Sequence, residues 1–552
     1  MTRKKQLSIE ALQDEVARLK AERETLETRL YALQSAHRVL QGEDEEYSAL
    51  RHRIRQAARE SIPRDETVLV LSKGDAELLD LYGRTAWHFP RQVDGRYAGF
   101  YPKRDLSAIA HLEAMRARGA SYLLIPETSR WWLEHYPDFG AHLDRYRLVF
   151  EDPDSCLIFS IAEPAERTAD PVARLAQALE DYLPVLGEDP PILDWASGLS
   201  LEAAFPRQTV FSPPTETPEL PYLDDSIDVV VFSEDRGTVE EAERVAAKLV
   251  VDVAAFDPKG GEGWLRWKAP SEVSVPSVSI VIPCHNGLEY TRACLTTLRE
   301  TLPTWFRGEI VVVDDASSDD TAAFLSHLRK EDKRVKVVRN RSNAGFLKAC
   351  NKGAKSARGD FLLFLNNDTV LLPGWFPPLL ATFQGYPGAG VAGGKLLFED
   401  GTLQEAGALV FSDASAAKIG YFDPDVEAPL YQYVREVDYV SAAFLMTPRE
   451  LFQEIGGFDP RYGFGYYDDD DYCLAVRAAG RRVYYQPESV IVHVEGASAG
   501  TDLADGLKQY QIANQKLFAE KWAKELAKKP KRLDPSPLDW PTTFALAGGD
   551  ER

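Results

Sequence analysis

Two groups of residues in this sequence have the types and spacing to do chemistry. The first is Asn366-Asn367-Asp368, two amides and a carboxylate closing the apolar run 361–365. A short apolar run with polar ends reads as a buried strand of a parallel sheet, whose carboxyl end is where open α/β sheets bind ligands. The same residues are also good turn formers. The second group is Asp468, Asp469, Asp470 and Asp471. Consecutive carboxylates raise one another's pKa, which suits at least one of them to proton transfer near neutral pH. They equally suit the N-terminus of the helix that continues as 472–480, because acids complement the positive end of a helix; the two roles are compatible. His493 ends the apolar strand 489–494. A lone histidine there is commonly structural, yet imidazole is a competent partner for a divalent ion.

These groups need elements that bring strand ends and a helix start together. SVSIVIPCHNG (277–287) is a strand ending in Pro283, Cys284, His285 and Asn286. After a helix, EIVVVDDASSDDT (309–321) is a second strand ending in Asp314 and Asp315, with Ser and Asp residues able to cap the next helix. VKVVRN (335–340) and the glycine-punctuated helix 343–360, containing Asn343, Gly345 and Lys348, lead to the fourth strand, 361–370. Strand and helix alternate at the spacing of a parallel sheet, with the polar strand ends on one edge.

Residues 277 to about 500 resemble the inverting, family-two glycosyltransferases with the GT-A fold, especially those that build bacterial cell-surface polysaccharides. The resemblance implies that Pro283, His285 and Asn286, together with Asp314 and Asp315, border the base and ribose of a nucleotide-sugar. Asn343, Gly345 and Lys348 are implied to lie near the same pocket. The family's Asp-x-Asp metal motif falls on Asn366-Asn367-Asp368, so only Asp368 keeps a carboxylate, and Mg²⁺ or Mn²⁺ must rely on it and another ligand. A histidine in the position of His493 helps bind metal or diphosphate in the family. Its Glu-Asp-x-Asp pattern puts Asp468 in the Glu slot, makes Asp469 the candidate general base and gives Asp471 a supporting role. Segments 393–411 and 438–458 resemble the acceptor-side strands, with Ala442 and Ala443 where the family has a glycine.

The rest of the chain must hold this module. At 552 residues it should split into several units. Ten positions from Ile9 to Leu40, spaced alternately by three and four, include eight apolar residues, which predicts a coiled coil within 1–60 that serves as a homodimer contact or a docking handle, the alternative being a single amphipathic helix packed on its own protein. Residues 61–165 read as a small α/β domain with strands at 67–72, 121–126 and 156–161 and a helix at 105–119. Its aromatic set, Trp87, His88, Phe89, Tyr97, Phe100, Tyr101, Trp131 and Trp132, can fill a core or stack on sugar rings. Within 166–270, PILDWASGLS and YLDDSIDVVVFSE resemble a degenerate Rossmann-like methyltransferase segment, followed by a Gly- and Pro-rich linker. The GT-A domain is expected over 271–500, and an amphipathic helix and tail over 501–552, built on Leu507, Tyr510, Leu517, Phe518 and Trp522. The fold class is therefore α/β, a GT-A (Rossmann-like mixed sheet) catalytic domain preceded by a coiled coil and one or two small α/β domains.

A formal charge of −22 argues against a phosphate-tracking surface and so against nucleic acid as a partner. Five cysteines without paired spacing are expected to be free thiols of a reducing compartment. The basic N-terminus lacks an apolar stretch, and no run approaches the length of a membrane span, so a cytoplasmic protein is expected, with peripheral contact at the inner face of the membrane. The functional expectation is metal-assisted hexosyl or deoxyhexosyl transfer from a nucleotide-diphosphate-sugar to a hydroxyl of a surface glycan or lipid-linked acceptor. The alternatives are a non-catalytic nucleotide-sugar or glycan scaffold, and methyl transfer by 190–255.

Overall fold

The computed structural model describes residues 43–92, 94–164, the strand segments 192–195, 210–211, 227–232, 246–252 and 265–267, and residues 276–303, 306–494 and 510–532. The described residues fall into two compact units. One lies within Met1–Gly99, Ser121–Trp131 and Arg147–Ile161, the other within Phe100–Ala120, Trp132–Tyr146 and Ala162–Arg552.

The first unit is helix α1 (Glu43–Ser61) and strands β1 (Thr67–Val70), β2 (Thr85–His88), β3 (Tyr122–Pro126), β4 (Arg147–Asp152) and β5 (Cys156–Ser160), in the order β2-β1-β3-β5-β4. The first three are parallel, and β5 and β4 add on antiparallel. All three strands expected between 61 and 165 are present. Leu50, Ile54, Ala57 and Ala58 form one stripe of α1 and pack with Val68, Val70, Leu124 and Ile158. Over 43–60, therefore, the expected coiled coil is an amphipathic helix seated on its own sheet. The heptad positions 9–40 lie outside the described residues.

The helix expected at 105–119 forms as α2 (Asp105–Ala117) but groups with the second unit, as does α3 (Pro137–Leu143). Buried Glu113 joins them. Burial alone would raise its carboxyl, but His142 at 2.7 Å and Arg116 at 2.8 Å outweigh it and hold the group well below the usual carboxylate range. Arg116 continues to Glu300 at 2.6 Å. Trp132 fills this core, edge-on to Tyr136 at 4.9 Å and Phe139 at 5.7 Å, while Phe100 and Tyr101 are exposed.

Strands β6 (Ile192–Trp195), β7 (Val210–Phe211), β8 (Ile227–Phe232), β9 (Ala246–Asp252) and β10 (Leu265–Trp267) make a five-stranded sheet, β10-β9-β8-β6-β7. The two motifs singled out in 190–255 supply its parallel neighbours β6 and β8, with Ile192 opposite Val229.

The largest sheet begins as the sequence alternation requires: β11 (Val278–Cys284), α4 (Leu288–Thr301), β12 (Gly308–Asp314), α5 (Thr321–Glu331), β13 (Val335–Arg339), α6 (Phe346–Ser356) and β14 (Phe361–Leu365). Strands β13-β12-β11-β14 are parallel and most of β11 and β12 is buried, hence the β-branched stretches 280–282 and 310–313. Helix α4 buries Thr291, Cys294, Leu295 and Leu298, the i, i+3, i+4, i+7 face. Gly353 lets α6 lie close on the sheet, since a Cβ there would come within 2.4 Å of Val281 Cγ1.

The sheet then turns mixed. After β15 (Thr369–Leu371) and α7 (Phe376–Gly385) come β16 (Ala389–Leu397), β17 (Leu403–Glu405), the hairpin β18 (Ala408–Val410) and β19 (Ala416–Lys418), β20 (Arg435–Glu436), β21 (Phe444–Pro448), α8 (Arg449–Ile455), α9 (Asp468–Ala478) and β22 (Arg482–His493). The order is β13-β12-β11-β14-β21-β16-β22-β15, with β17 on β16 and β20 on β22. Helix α10 (Tyr510–Leu526) closes the unit, burying Phe518 against Tyr467 at 5.2 Å between ring centroids. No described helix is long and apolar enough to cross a membrane. All five cysteines are buried and unpaired.

Candidate active site

Parallel packing brings the carboxyl ends of β11 and β12 side by side, and their loops lock together. The loop after β11 places Asn286 in left-handed backbone at φ 56°, its N–H donating to Ser317 Oγ at 2.9 Å and its Oδ1 accepting from Ser318 N at 2.7 Å. Asp314 is buried, accepts from Ser317 N at 2.8 Å and pairs with Arg339 at 3.4 Å. Asp315 is saturated differently. Its oxygens accept from Asn340 Nδ2 at 2.6 Å, Ala344 N at 2.9 Å and Gly345 N at 2.8 Å, so this carboxylate builds the Asn343–Gly345 turn. Gly345 sits at φ +87°, and a Cβ there would come within 2.6 Å of Phe464 Cδ1.

Where β14 ends, Asn366 N donates to Ala443 O at 3.0 Å and Asn367 Nδ2 to Thr291 Oγ1 at 2.9 Å. Antiparallel pairing of β15 with β22 sets Thr369 opposite His493, and Val494 N donates to Asp368 O at 2.9 Å. This register is why two residues so distant in sequence meet. His493 Nε2 lies 3.3 Å from Asp368 Oδ1 and 3.2 Å from Asn366 Nδ2. Asp368 Oδ1 and Asn366 Oδ1 are buried and lack a hydrogen-bond partner among the described residues. Buried oxygens left unsatisfied beside an imidazole form a donor set that suits a divalent cation. The described residues contain no group of three or more His, Cys, Asp or Glu placed to hold a metal ion. The protein would contribute Asp368 and His493 and leave other coordination positions open.

The acid helix α9 starts from two tyrosines, Tyr466 and Tyr467, in left-handed backbone at φ 70° and 68°. Non-glycine residues persist there only where their surroundings hold them. Tyr467 Oη is tied to Ala414 O at 3.1 Å, and Asn514 of α10 donates to the carbonyls of Tyr462, Gly465 and Tyr466. Asp469 is the least buried of the four acids; its Oδ2 accepts from Ala442 N at 3.2 Å and its Oδ1 from Asp470 N at 3.1 Å. Burial first, and then the charge of Asp469, pushes Asp468 and Asp470 well above the usual carboxylate range. Asp471 points elsewhere: it accepts from Lys521 Nζ at 2.7 Å, Trp522 Nε1 at 2.7 Å and Tyr462 Oη at 2.9 Å, anchoring α9 to α10.

One cavity of about 880 Å³ collects these ends. Pro283, His285, Asp315, Asn343, Gly345, Asn366, Asn367, Asp368, Asp468, Asp469, Asp470 and His493 line it. Asn286, Asp314, Lys348 and Asp471, although expected at the site, do not. Asn286 is spent on loop–loop bonds, Asp314 on capping its own loop and pairing with Arg339, Lys348 faces solvent on α6, and Asp471 serves as the anchor just described. The cavity also has lining that sequence reasoning missed: Lys418, Tyr421, Phe464, Gln511, Gln515 and Arg532. The amphipathic pattern of α10 signalled that it folds back, but not which of its polar residues face the cavity. Gln404, beneath His493, carried no signal at all.

The raised carboxyls predict a pH dependence. A carboxyl with a folded-state pKa above its unfolded value contributes stability that is complete below the unfolded pKa, near 4, and is lost as pH rises through the folded one. Asp470→Asn mimics the protonated acid at every pH. Its melting temperature should therefore move upward relative to the parent as pH goes from 5 to 8, which paired thermal melts check; a pH-independent difference would contradict the burial argument.

Residues 279–455 match the family model described as Glycosyl transferase family 2. The uncharacterised protein y4gI of Sinorhizobium fredii is 31% identical over 232 residues, 41% of this chain and 25% of that protein. The O-antigen biosynthesis protein RfbC of Myxococcus xanthus is 30% identical over 232 residues, 41% of this chain and 18% of that protein. The chain thus spans a quarter or less of the length of these two relatives. A crystal structure of GalNAc-T7 with UDP, GalNAc and Mn²⁺ is similar at a TM-score of 0.39 and 17% identity, over 48% of this chain and 50% of that one. Residues 279–455 thus match a family 2 glycosyltransferase domain, and they lie on the mixed sheet described above.

Proposed function

We propose that the chain transfers a sugar, with inversion, from a nucleotide-diphosphate-sugar to a hydroxyl of a surface glycan or lipid-linked acceptor. The observation that carries this reading is that Asp315, Asp368 and Asp469 line a single cavity. The name of the Myxococcus relative, an O-antigen biosynthesis protein, supports the acceptor class.

The loops holding Pro283, His285, Asp315 and the Asn343–Gly345 turn form the nucleotide end. Asp368 and His493 would hold Mg²⁺ or Mn²⁺, which when bound stabilises the negative charge of the departing diphosphate. Asp469 takes the proton of the acceptor hydroxyl as that oxygen bonds to the anomeric carbon from the face opposite the leaving group. The carbon–oxygen bond to the diphosphate breaks in the same displacement, so no protein nucleophile is needed. Ala442 N–H orients the Asp469 carboxylate for this task.

The test is titration calorimetry of a panel of nucleotide-sugars with and without Mn²⁺, followed by a product assay with hydroxyl acceptors. Metal-dependent binding of a nucleotide-sugar followed by turnover is expected. Binding without turnover on any acceptor would favour the scaffold alternative instead.

A further inference from the structure

We propose that Gln404 is a positioning residue that fixes the tautomer of His493, so that Nε2 presents a lone pair to a cation beside Asp368. The proposal rests on the metal-assisted reading above. Gln404 is fully buried on β17, and its side chain makes two bonds to the same histidine. Its Nε2 donates to the backbone carbonyl of His493 at 3.3 Å, and its Oε1 lies 2.8 Å from His493 Nδ1. The first bond orients the amide: with the NH₂ on a carbonyl, which can only accept, the oxygen is the atom that faces the ring. Nδ1 must then carry the hydrogen, and in the neutral imidazole Nε2 is left as an acceptor.

That acceptor has a donor on one side and another acceptor on the other. Asn366 Nδ2 approaches at 3.2 Å and satisfies part of it. Asp368 Oδ1, at 3.3 Å, is a buried oxygen without a hydrogen-bond partner. Two acceptors this close in a buried place call for a positive charge between or beside them. Metal-bound histidines use the other ring nitrogen to fix tautomer and direction through a partner of this kind, and losing the partner weakens the metal by about 10–100-fold. In the competing arrangement the Asn366 amide is turned over and the ring is a cation donating from Nε2 to Asp368. Gln404 would then only support a structural ion pair.

Long-range ¹H–¹⁵N spectra of metal-free, histidine-labelled protein separate the two without any substitution, His493 being assigned by its loss in His493→Gln. At a pH where the ring is neutral, hydrogen on Nδ1 is expected; hydrogen on Nε2 of the neutral ring overturns the proposal. Gln404→Met removes the acceptor and should mix the tautomers and weaken Mn²⁺ binding by about 10–100-fold, read as free Mn²⁺ by electron paramagnetic resonance. Gln404→Glu keeps an acceptor for Nδ1–H and should restore both readouts. If both variants lose thermal stability while Mn²⁺ affinity is unchanged, Gln404 is structural and the proposal fails. Failure of the parent protein to bind Mn²⁺, with Nδ1–H intact, instead overturns the metal reading on which the proposal rests.

Discussion

Asp469→Asn is expected to slow glycosyl transfer by about 10²–10⁴-fold, the range a positioned general base contributes, while leaving nucleotide-sugar affinity unchanged. The asymmetry follows from position. Asp469 lines the cavity from the acid helix, whereas the proposed nucleotide end is built on Asp315, and the substituted amide still offers an oxygen to Ala442 N–H. Product formation at saturating substrates, set beside calorimetric donor affinity, checks it. Asp468→Asn is the informative control. Burial already drives Asp468 toward its protonated form, which asparagine imitates, so transfer should survive. A near-parental rate for Asp469→Asn with a collapsed rate for Asp468→Asn would move the base to Asp468.

Much of this geometry was legible in the residues because parallel sheets write themselves plainly. Buried segments such as 280–284 and 361–365 are unbroken apolar runs, and their polar ends mark the edge where the cavity opens. The pairing of Asp368 with His493 was not legible from spacing, because it depends on the antiparallel register of β15 against β22, which no local pattern encodes. Roles within a motif were also hidden. Asp314 and Asp315 are adjacent and chemically identical, yet one caps its own loop and the other builds the Asn343–Gly345 turn at the cavity wall. Asp471 looked like a fourth acid of the catalytic run. A helical turn carries it to the side facing α10, where Lys521 and Trp522 wait, and that partner became visible only with the fold. The helix at 105–119 was legible, but its grouping with the second unit was not, because a helix pattern does not reveal which core it joins.

The departure from Asp-x-Asp at Asn366 leads to a paired expectation at the metal end. Asp368→Ala removes the only carboxylate of the motif that lines the cavity, and transfer should fall by about 10²–10³-fold, the worth of several kcal/mol of charge stabilisation at the leaving group. Asn366→Asp should act in the opposite sense on the metal and should destabilise the empty fold. In the parent, Asn366 Nδ2 faces His493 Nε2 at 3.2 Å and so meets one of the two converging acceptors with a donor. A carboxylate at 366 withdraws that donor and adds a charge beside Asp368, so the metal-free protein should melt lower. The same two carboxylates and the imidazole then bind a divalent cation more tightly, and a ligand selective for the folded state raises the melting temperature in proportion to the logarithm of its concentration over its Kd. Thermal melts across a Mn²⁺ titration should therefore show Asn366→Asp starting below the parent and climbing more steeply, with Asp368→Ala flat. Parallel Mn²⁺ responses in all three proteins would mean that the cation, if bound, sits away from the end of β14.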